Sequence, residues 1–454
     1  MRKPRVTRLL IAGLITGVLV TAGPGVSSAV SPKTGATAGL ARLVLPAPSG
    51  PYVVGTVALR LVDHSRSDPW VTSRPYRELM VSAFYPARDA GAYPVAPQMS
   101  PAAAKHFDES LGTPVHQGWG IPAGKVDWGA TLTHSHANAH VQAGRHPVVL
   151  YSPGLGDPRT LGTTLAEDLA SRGYVVVTID HTYDASEVEF PGGRVEPFGM
   201  PTDGDIVSTL KKLVSVRVAD TRFVLDRLSG LPNGLGAALD LGRVGMFGQS
   251  AGGFTALQTM HGTDPDERVE RSAPRSKPDA GRVRSGEGPV NTAPRIVAAA
   301  DLDGTLGFDQ DDGGPGLSPL AEDGLNRPFL LMGSQTSDHH TVRSWEALWS
   351  NSDGPKLDLH LRGSKHHSYT DMESLVPQLS KIGLPAEAAY EDIGWTDPAR
   401  AVAAQRAYLA AFFDRHLRGR DGGLLDGPSP RYPEVTFVRS SLAETINSDH
   451  RFCP

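Results

Sequence analysis

The stretch RVGMFGQSAGGFTALQTMHG, residues 243–262, joins an apolar run to a helix-like run through a serine. Residues 244–247 form a short apolar run, which predicts a buried strand. Residues 251–260 predict a helix, because apolar side chains recur at three-residue steps on one face. The residues of that face are Phe254, Leu257 and Met260. The stretch therefore predicts a strand followed at once by a helix.

The connection between the two elements, GQSAG at 248–252, fits the pattern G-x-S-x-G. A serine that turns sharply out of a strand needs small neighbours, and Gly248 and Gly252 supply them. This setting favours Ser250 as a catalytic nucleophile. The alternative is a glycine-rich connection in which Ser250 only caps the helix.

The rest of the chain alternates strands with helices. The apolar runs HPVVLYS (146–152) and YVVVTID (174–180) predict buried strands, and the segment between them predicts a helix that ends near Gly173. Three further strands and long helices follow, the last over 397–419. Uninterrupted apolar strands separated by helices indicate a mostly parallel sheet with helices on both faces. We predict the α/β-hydrolase fold, with an irregular segment over 86–145.

The N-terminus has the pattern of a secretory signal peptide. Four basic residues in 1–8 precede the apolar run 9–22, and small residues follow at 27–29. A membrane anchor is the alternative, but this run of 14 residues is shorter than the roughly 20 that span a bilayer. We therefore expect residues 1–29 to be removed and the protein to be secreted.

The remaining boundaries follow from composition. Residues 30–50 are rich in Ser, Gly, Ala and Pro and predict a flexible lead-in. Residues 51–440 would form the catalytic domain and 441–454 a C-terminal tail. Within the domain, residues 263–292 are charged and poor in large apolar side chains, which predicts a low-complexity surface insertion.

Charge and cysteine content exclude some classes of protein. Charged residues make up 20% of the chain and the net charge is −5, which becomes −9 without the four basic residues of 1–29. An acidic protein without a basic tract is a poor binder of nucleic acid. Cys453 is the only cysteine, so no internal disulfide can form.

A serine nucleophile requires a histidine base and an acid that orients it, and in α/β-hydrolases they follow the serine as acid, then histidine. The strand at 296–302 ends in DLDG, where Asp303 precedes a glycine and Asp301 is still within the strand. We favour Asp303, although Asp-Gly also commonly marks a simple turn.

The histidine is expected in the loop after the last core strands. The segment LDLHLRGSKHHSYTD offers His360 within the strand and His366 and His367 after it. A histidine inside a strand is ordinarily packed in the core, so we place His366 first and His367 second.

An oxyanion hole requires two backbone N–H groups. One belongs to the residue after the nucleophile, Ala251, and the other to the loop after an early strand. The sequence YSPGLGDP at 151–158 is such a loop, and we assign the Leu155 amide. A plain Gly/Pro turn into a helix is the alternative. The end of the next strand, Asp180 and His181, could line the substrate pocket or merely terminate the strand.

A histidine cluster raises the question of a metal. His134, His136 and His140 in THSHANAH could approach Zn²⁺, but no local carboxylate or cysteine accompanies them. We favour a polar cluster without metal, and we expect no cofactor.

Four motifs in order, YSPGLGDPRTL, GQSAGG, DLDG and RGSKHHSYTD, resemble the secreted platelet-activating-factor acetylhydrolase type (group VII phospholipase A2-like) of α/β-hydrolases. The resemblance runs from about Gly55 to Val438. It places the family's serine, acid and histidine on Ser250, Asp303 and His366, and its oxyanion amides on Leu155 and Ala251.

Two positions depart from the family pattern, because Gln249 stands where a histidine is frequent and Pro153 where a His-Gly pair is usual. The resemblance implies Ca²⁺-independent hydrolysis of short-acyl lipid or phospholipid esters, with transient contact with a lipid surface.

Two alternatives remain open at the level of sequence. The same residues could serve a polyester or triglyceride lipase or a peptidase, because a fold does not specify a substrate. A non-catalytic binding protein on the same scaffold would be expected to lack a member of the triad, and the sequence supplies all three.

Overall fold

The computed structural model describes residues 39–111, 120–121, 123–201, 204–262, 296–308 and 316–440. The strands are β1 (Val54–Asp63), β2 (Arg77–Arg88), β3 (Val95–Pro97), β4 (Leu132–Ala137), β5 (His140–Val141), β6 (His146–Ser152), β7 (Val175–Asp180), β8 (Glu187–Phe190), β9 (Arg194–Pro197), β10 (Leu239–Gln249), β11 (Ile296–Leu302), β12 (Phe329–Gly333), β13 (Lys356–Leu361) and β14 (Val435–Ser440). The helices are α1 (Pro101–Ser110), α2 (Thr163–Ser171), α3 (Ile206–Arg227), α4 (Ala251–His261), α5 (Pro319–Asp323), α6 (Arg343–Asn351), α7 (Met372–Ser380), α8 (Ala386–Ile393) and α9 (Pro398–Arg418).

One large sheet organises the molecule, in the order β14-β13-β12-β11-β10-β6-β7-β2-β1-β4-β3. Its central neighbours from β13 through β7 are parallel, while β14 and β2 flank them antiparallel. This is the predicted mostly parallel sheet. Because the carboxyl ends of parallel strands meet at one edge, the loops after β6, β10, β11 and β13 gather there.

Both faces of the sheet are buried, which explains the uninterrupted apolar runs. Along β6, Val148 and Leu150 belong to an apolar cluster with α3 and α4. The alternate residues Val149 and Tyr151 belong to a second cluster with α2 and α9. Successive side chains of a strand point to opposite faces, so a strand covered by helices on both sides is apolar throughout.

The flexible lead-in predicted over 30–50 requires correction for residues 39–50. Leu43 and Leu45 are buried in an apolar cluster with α1 and α7, and Ser49 donates hydrogen bonds to Asp168 through both its N–H and its hydroxyl. Most residues of this segment are small or polar, so its composition did not predict that Leu43 and Leu45 are buried.

The segment 86–145 is also more regular than predicted, since it contains β3, α1, β4 and β5. In β4 the side chains that face inward are the polar Thr133 and Ser135. Thr133 donates to the Ala96 carbonyl at 2.9 Å, and Ser135 donates to the buried carboxylate of Glu167. Because hydrogen bonds satisfy these buried polar groups, the strand needs no apolar alternation and leaves no hydropathy signal.

The predicted signal peptide 1–29, the insertion 263–292 and the tail 441–454 lie outside the described residues. Among the described helices, none is both long and apolar enough to cross a membrane.

Candidate active site

Ser250 occupies a strained turn between β10 and α4, as the glycine spacing predicts. Its backbone has φ 56° and ψ −125°, a conformation that L-residues rarely adopt. A Cβ at Gly252 would lie 1.9 Å from the Ser152 carbonyl oxygen, and one at Gly248 would lie 2.1 Å from the Gly252 carbonyl carbon. Only glycine at these two positions lets the chain turn so tightly.

Asp303 and His366 meet at the same edge of the sheet. His366 Nδ1 donates a 2.7 Å hydrogen bond to Asp303 Oδ2, and the Ser334 N–H donates to Asp303 Oδ1 at 2.7 Å. The Asp303 side chain is 2% exposed and that of His366 is 30% exposed. The carboxylate is therefore fixed and shielded, while the imidazole is accessible to a substrate.

Hydrogen bonds connect the segments that carry Asp303 and His366 to the turn at Ser250. The Ser250 N–H donates to the Leu302 carbonyl, one residue before Asp303, at 2.9 Å. Gln249 Nε2, one residue before Ser250, donates to the His366 carbonyl at 3.2 Å. Gln249, a departure from the family pattern, thus fixes the histidine loop against the serine turn.

Asp301 lies elsewhere, in the interior. It is fully buried, and one of its oxygens accepts a 2.9 Å hydrogen bond from the Gly304 N–H. Burial raises the pKa of Asp301 well above its ordinary value. Asp301 accepts from a backbone N–H in the interior, whereas Asp303 hydrogen-bonds to His366, so the geometry favours Asp303 as the acid that orients the histidine.

The other two candidate histidines lie in other surroundings. His367 Nδ1 lies 3.4 Å from Asp392 Oδ1. Burial alone would lower the pKa of His367, but its hydrogen bond with Asp392 and nearby negative charges raise it. His360 lies within β13, as predicted.

The two residues predicted to supply the oxyanion amides pack against the same apolar cluster. Leu155 and Ala251 are both half-buried, and the cluster comprises Trp70, Tyr183, Met200, Leu213 and Val216. At the neighbouring Gly154, a Cβ would lie 2.4 Å from Gln249 Oε1. Glycine at 154 therefore allows the loop to approach the serine turn.

Comparison with known proteins establishes the family. Residues 39–189 match the family model described as platelet-activating factor acetylhydrolase, isoform II. A protein of Arthroderma benhamiae named probable 1-alkyl-2-acetylglycerophosphocholine esterase is 30% identical over 412 residues, which cover 87% of this chain and 94% of that protein.

The chain belongs to the platelet-activating factor acetylhydrolase family. This confirms the resemblance of the four motifs.

Two further proteins are similar to this family member. The platelet-activating factor acetylhydrolase of Bos taurus is 36% identical over 55 residues, 12% of each chain. A solved structure of ferulic acid esterase from Streptomyces cinnamoneus is 36% identical with a TM-score of 0.68, covering 87% of this chain and 99% of that chain. The protein is a carboxylic ester hydrolase, and the alternative of a non-catalytic binding protein is set aside.

The esterase also contains a buried Ser–His–Asp set that the sequence analysis missed. His181 Nδ1 lies 3.0 Å from Asp220 Oδ2, and His181 Nε2 lies 3.0 Å from Ser152 Oγ. All three residues are at most 1% exposed. Burial lowers the pKa of His181, so the neutral ring donates to Asp220 and accepts from Ser152. Because all three side chains are buried, the set is inaccessible to a substrate, and it joins the end of β6 to α3.

Arg217 and Asp184 were missed as well. Arg217 is fully buried and forms an ion pair with Asp184 at 2.6 Å. A signal was present in α3, because Arg217 and Asp220 interrupt its apolar face between Val214 and Val224. Charged residues on the buried face of a helix indicate a buried polar network.

The three histidines considered for a metal site have protein partners. His134 Nε2 donates to the Leu45 carbonyl at 3.0 Å, and His136 Nδ1 lies 2.8 Å from the Tyr93 carbonyl. His140 contacts the Tyr93 hydroxyl at 3.2 Å. Within the described ranges, no group of three His, Cys, Asp or Glu side chains could hold a metal ion.

A cavity of about 410 Å³ is lined by Asp180 and Arg159 among other residues, but not by Ser250, Asp303 or His366. Asp180 and Arg159 form an ion pair there. Asp180 thus lines a cavity that the catalytic candidates do not line, so its place in the substrate pocket stays a prediction. The neighbouring His181 is instead part of the buried set with Ser152 and Asp220.

Proposed function

We propose that the protein hydrolyses carboxylic esters through an acyl-enzyme intermediate on Ser250. The observation that carries the proposal is the 2.7 Å hydrogen bond between His366 and Asp303, which is tied to the strained turn of Ser250. In this proposal His366 is the general base and Asp303 fixes its tautomer and stabilises its cation. The N–H groups of Leu155 and Ala251 form the oxyanion hole.

The reaction proceeds in two halves. His366 Nε2 removes the Ser250 hydroxyl proton as Oγ attacks the ester carbonyl, and the two N–H groups stabilise the negative oxygen. The imidazolium then protonates the departing alcohol and leaves an acyl-serine. Water, deprotonated by the same histidine, attacks this ester, and collapse of the second tetrahedral species releases the acid and restores Ser250.

For the substrate, we propose short-acyl lipid or phospholipid esters. The name of the Arthroderma benhamiae relative supports this class, and the match to that relative covers 87% of this chain. A phospholipid substrate would bring the enzyme into transient contact with a lipid surface. Feruloyl esters are a second candidate, which the similarity to the Streptomyces cinnamoneus ferulic acid esterase supports. Polyesters, triglycerides and peptides are less favoured, because neither comparison points to them.

We also propose that the enzyme is secreted. The basic segment, the short apolar run and the small residues at 27–29 support this proposal. N-terminal sequencing of the protein recovered from the culture medium tests it, and a start near residue 30 is expected.

A fluorophosphonate probe tests the mechanism. The parent protein should be labelled, and Ser250→Ala should lose both labelling and hydrolysis. The matched control is Ser110→Ala, which removes another serine that donates to a backbone carbonyl in α1 and should label as the parent does. Labelling of Ser250→Ala at the parental rate would refute the assignment.

Substrate class is tested in parallel with three esters: a phospholipid with a short sn-2 acyl group, the same phospholipid with a long one, and methyl ferulate. We expect the highest kcat/KM on the first. A higher kcat/KM on methyl ferulate would favour the second candidate and leave the catalytic assignment intact.

A further inference from the structure

The Arg217 side chain is buried beneath the loop that supplies one oxyanion amide. An arginine has five N–H donors and no acceptor, and each donor of Arg217 has an acceptor. Nε and Nη2 donate to the two carboxylate oxygens of Asp184 at 2.6 Å each. The remaining donors contact Pro153 O at 2.6 Å, Gly154 O at 2.9 Å and Ser152 Oγ at 3.4 Å. All five donors of Arg217 are thus satisfied by one carboxylate, by Ser152 at the end of β6 and by the first two residues of the loop that follows.

The contact with Gly154 determines where the next N–H points. The Gly154 carbonyl and the Leu155 N–H belong to one planar peptide group, and in a trans peptide they point in opposite directions. A guanidinium that holds the carbonyl on one side therefore directs the N–H to the other. Its positive charge also polarises the amide, which makes the N–H a stronger donor to an anion.

Asp184 also contacts the loop at Gly156, the residue after Leu155, through its backbone carbonyl. The Gly156 N–H donates to the Asp184 carbonyl at 3.2 Å, and the Ser186 N–H donates to the Gly156 carbonyl at 2.8 Å. Leu155 is therefore held between a guanidinium contact on the residue before it and a backbone contact on the residue after it.

We propose that Arg217, oriented by Asp184, is a positioning residue that aligns and polarises the 154–155 peptide for stabilisation of the oxyanion. The inference rests on the proposed role of the Leu155 amide. Arg217 touches no reacting atom and acts through the peptide. Lysine cannot replace it fully, because an ammonium is a compact charge with three donors and no planar fork.

The test compares two variants with a matched control. Arg217→Lys keeps the charge but loses the fork. Arg217→Met combined with Asp184→Asn removes the interaction without leaving an unpaired buried charge. Arg406→Met is the control, because Arg406 is also a buried arginine that donates to backbone carbonyls elsewhere in the fold, those of Pro46, Ala47 and Thr164.

The readouts separate positioning from folding. Active enzyme is counted by fluorophosphonate titration carried to completion, and kcat and KM are then measured on a p-nitrophenyl ester. The inhibition constant of a trifluoromethyl ketone is measured as well. The ketone forms a hemiketal whose negative oxygen binds in the oxyanion hole, whereas the carbonyl oxygen of the unreacted ester binds there more weakly.

We expect kcat per active site to fall about tenfold in Arg217→Lys and about 100-fold in the double variant, since outright loss of an oxyanion donor costs about 10²–10³. KM should change by less than about threefold, and affinity for the ketone should fall in proportion to kcat/KM. Arg406→Met should keep the parental kcat and ketone affinity.

Parental kcat and ketone affinity per active site in Arg217→Lys would overturn the inference, as would an equal loss in Arg406→Met. If the double variant does not fold, Arg217→Lys alone decides. Activity retained in Ser250→Ala would instead refute the proposed function itself, so the two failures are distinguishable.

Discussion

His366 Nδ1 donates a 2.7 Å hydrogen bond to Asp303 Oδ2, which joins the loop after β13 to the turn after β11. The bond leaves His366 Nε2 as the nitrogen that can accept a proton. Because the carboxylate is buried and the imidazole is partly exposed, the pair has the geometry that the proposed role of His366 as general base requires.

The two carboxylates of DLDG should respond differently to removal of their charge. Asp303→Asn should lower kcat on the order of 10⁴-fold, because an amide can hold histidine in the wrong tautomer. Asp301→Asn should cost less than about tenfold, because the native Asp301 carboxyl is buried with a raised pKa and the amide has nearly the same shape. Measured kcat values in the reverse order would contradict the assignment.

The adjacent histidines provide a second comparison. His366→Gln removes the base and should lower kcat by about 10⁴–10⁶-fold, as losses of triad members do. His367→Gln should keep kcat within about tenfold, because His367 pairs with Asp392 and not with Asp303. Both are measured on p-nitrophenyl acetate, with folding checked by circular dichroism, and a greater loss in His367→Gln would reassign the base.

Acyl-chain length should separate an acetylhydrolase-type pocket from a lipase tunnel. We expect kcat/KM on p-nitrophenyl esters to peak between two and about six acyl carbons. A deep apolar tunnel would instead reward each further methylene by about 0.8 kcal/mol. An optimum at twelve or more carbons would indicate a true lipase with the same triad.

His416 should make the fold sensitive to acid. Burial and the neighbouring Arg415 lower the pKa of His416 to about 4, and its Nε2 has no hydrogen-bond partner among the residues that the structure describes. Between about pH 6.5, where an unfolded histidine titrates, and pH 4, the unfolded chain binds a proton that the native state does not. The free energy of unfolding contributed by this group is therefore present above pH 6.5 and lost as the pH falls towards 4.

Urea unfolding at pH 7.5 and pH 5 measures this effect. His416→Gln should reduce the difference in unfolding free energy between the two pH values. His64→Gln, at an exposed position, should leave the difference unchanged. An unchanged difference in His416→Gln would show that other groups cause the acid sensitivity.

Local signals sufficed for the central sheet and for the serine turn. The run HPVVLYS was predicted to be a strand and is β6 without change of either end. Ser250 has the strained backbone that the GQSAG pattern requires. These features depend on backbone sterics and on alternation within a few residues, which a sequence displays directly.

Segments with few apolar residues were not predicted from hydrophobic periodicity. Residues 39–50 and β4 carry little apolar periodicity, yet Leu43, Leu45, Thr133 and Ser135 are buried. Their burial depends on partners distant in the chain, such as Glu167 for Ser135.

The sequence by itself determined the alternation of strands and helices in the central sheet, the sharp turn at Ser250 and a short set of candidate acids and histidines. Only the tertiary structure paired Asp303 with His366, buried a second set at Ser152, His181 and Asp220, and brought Arg217 to a loop 64 residues earlier. The first group of features follows from local sterics and periodicity. The second depends on strand order and helix docking, which bring distant side chains within hydrogen-bond distance and decide which of them remain open to a substrate.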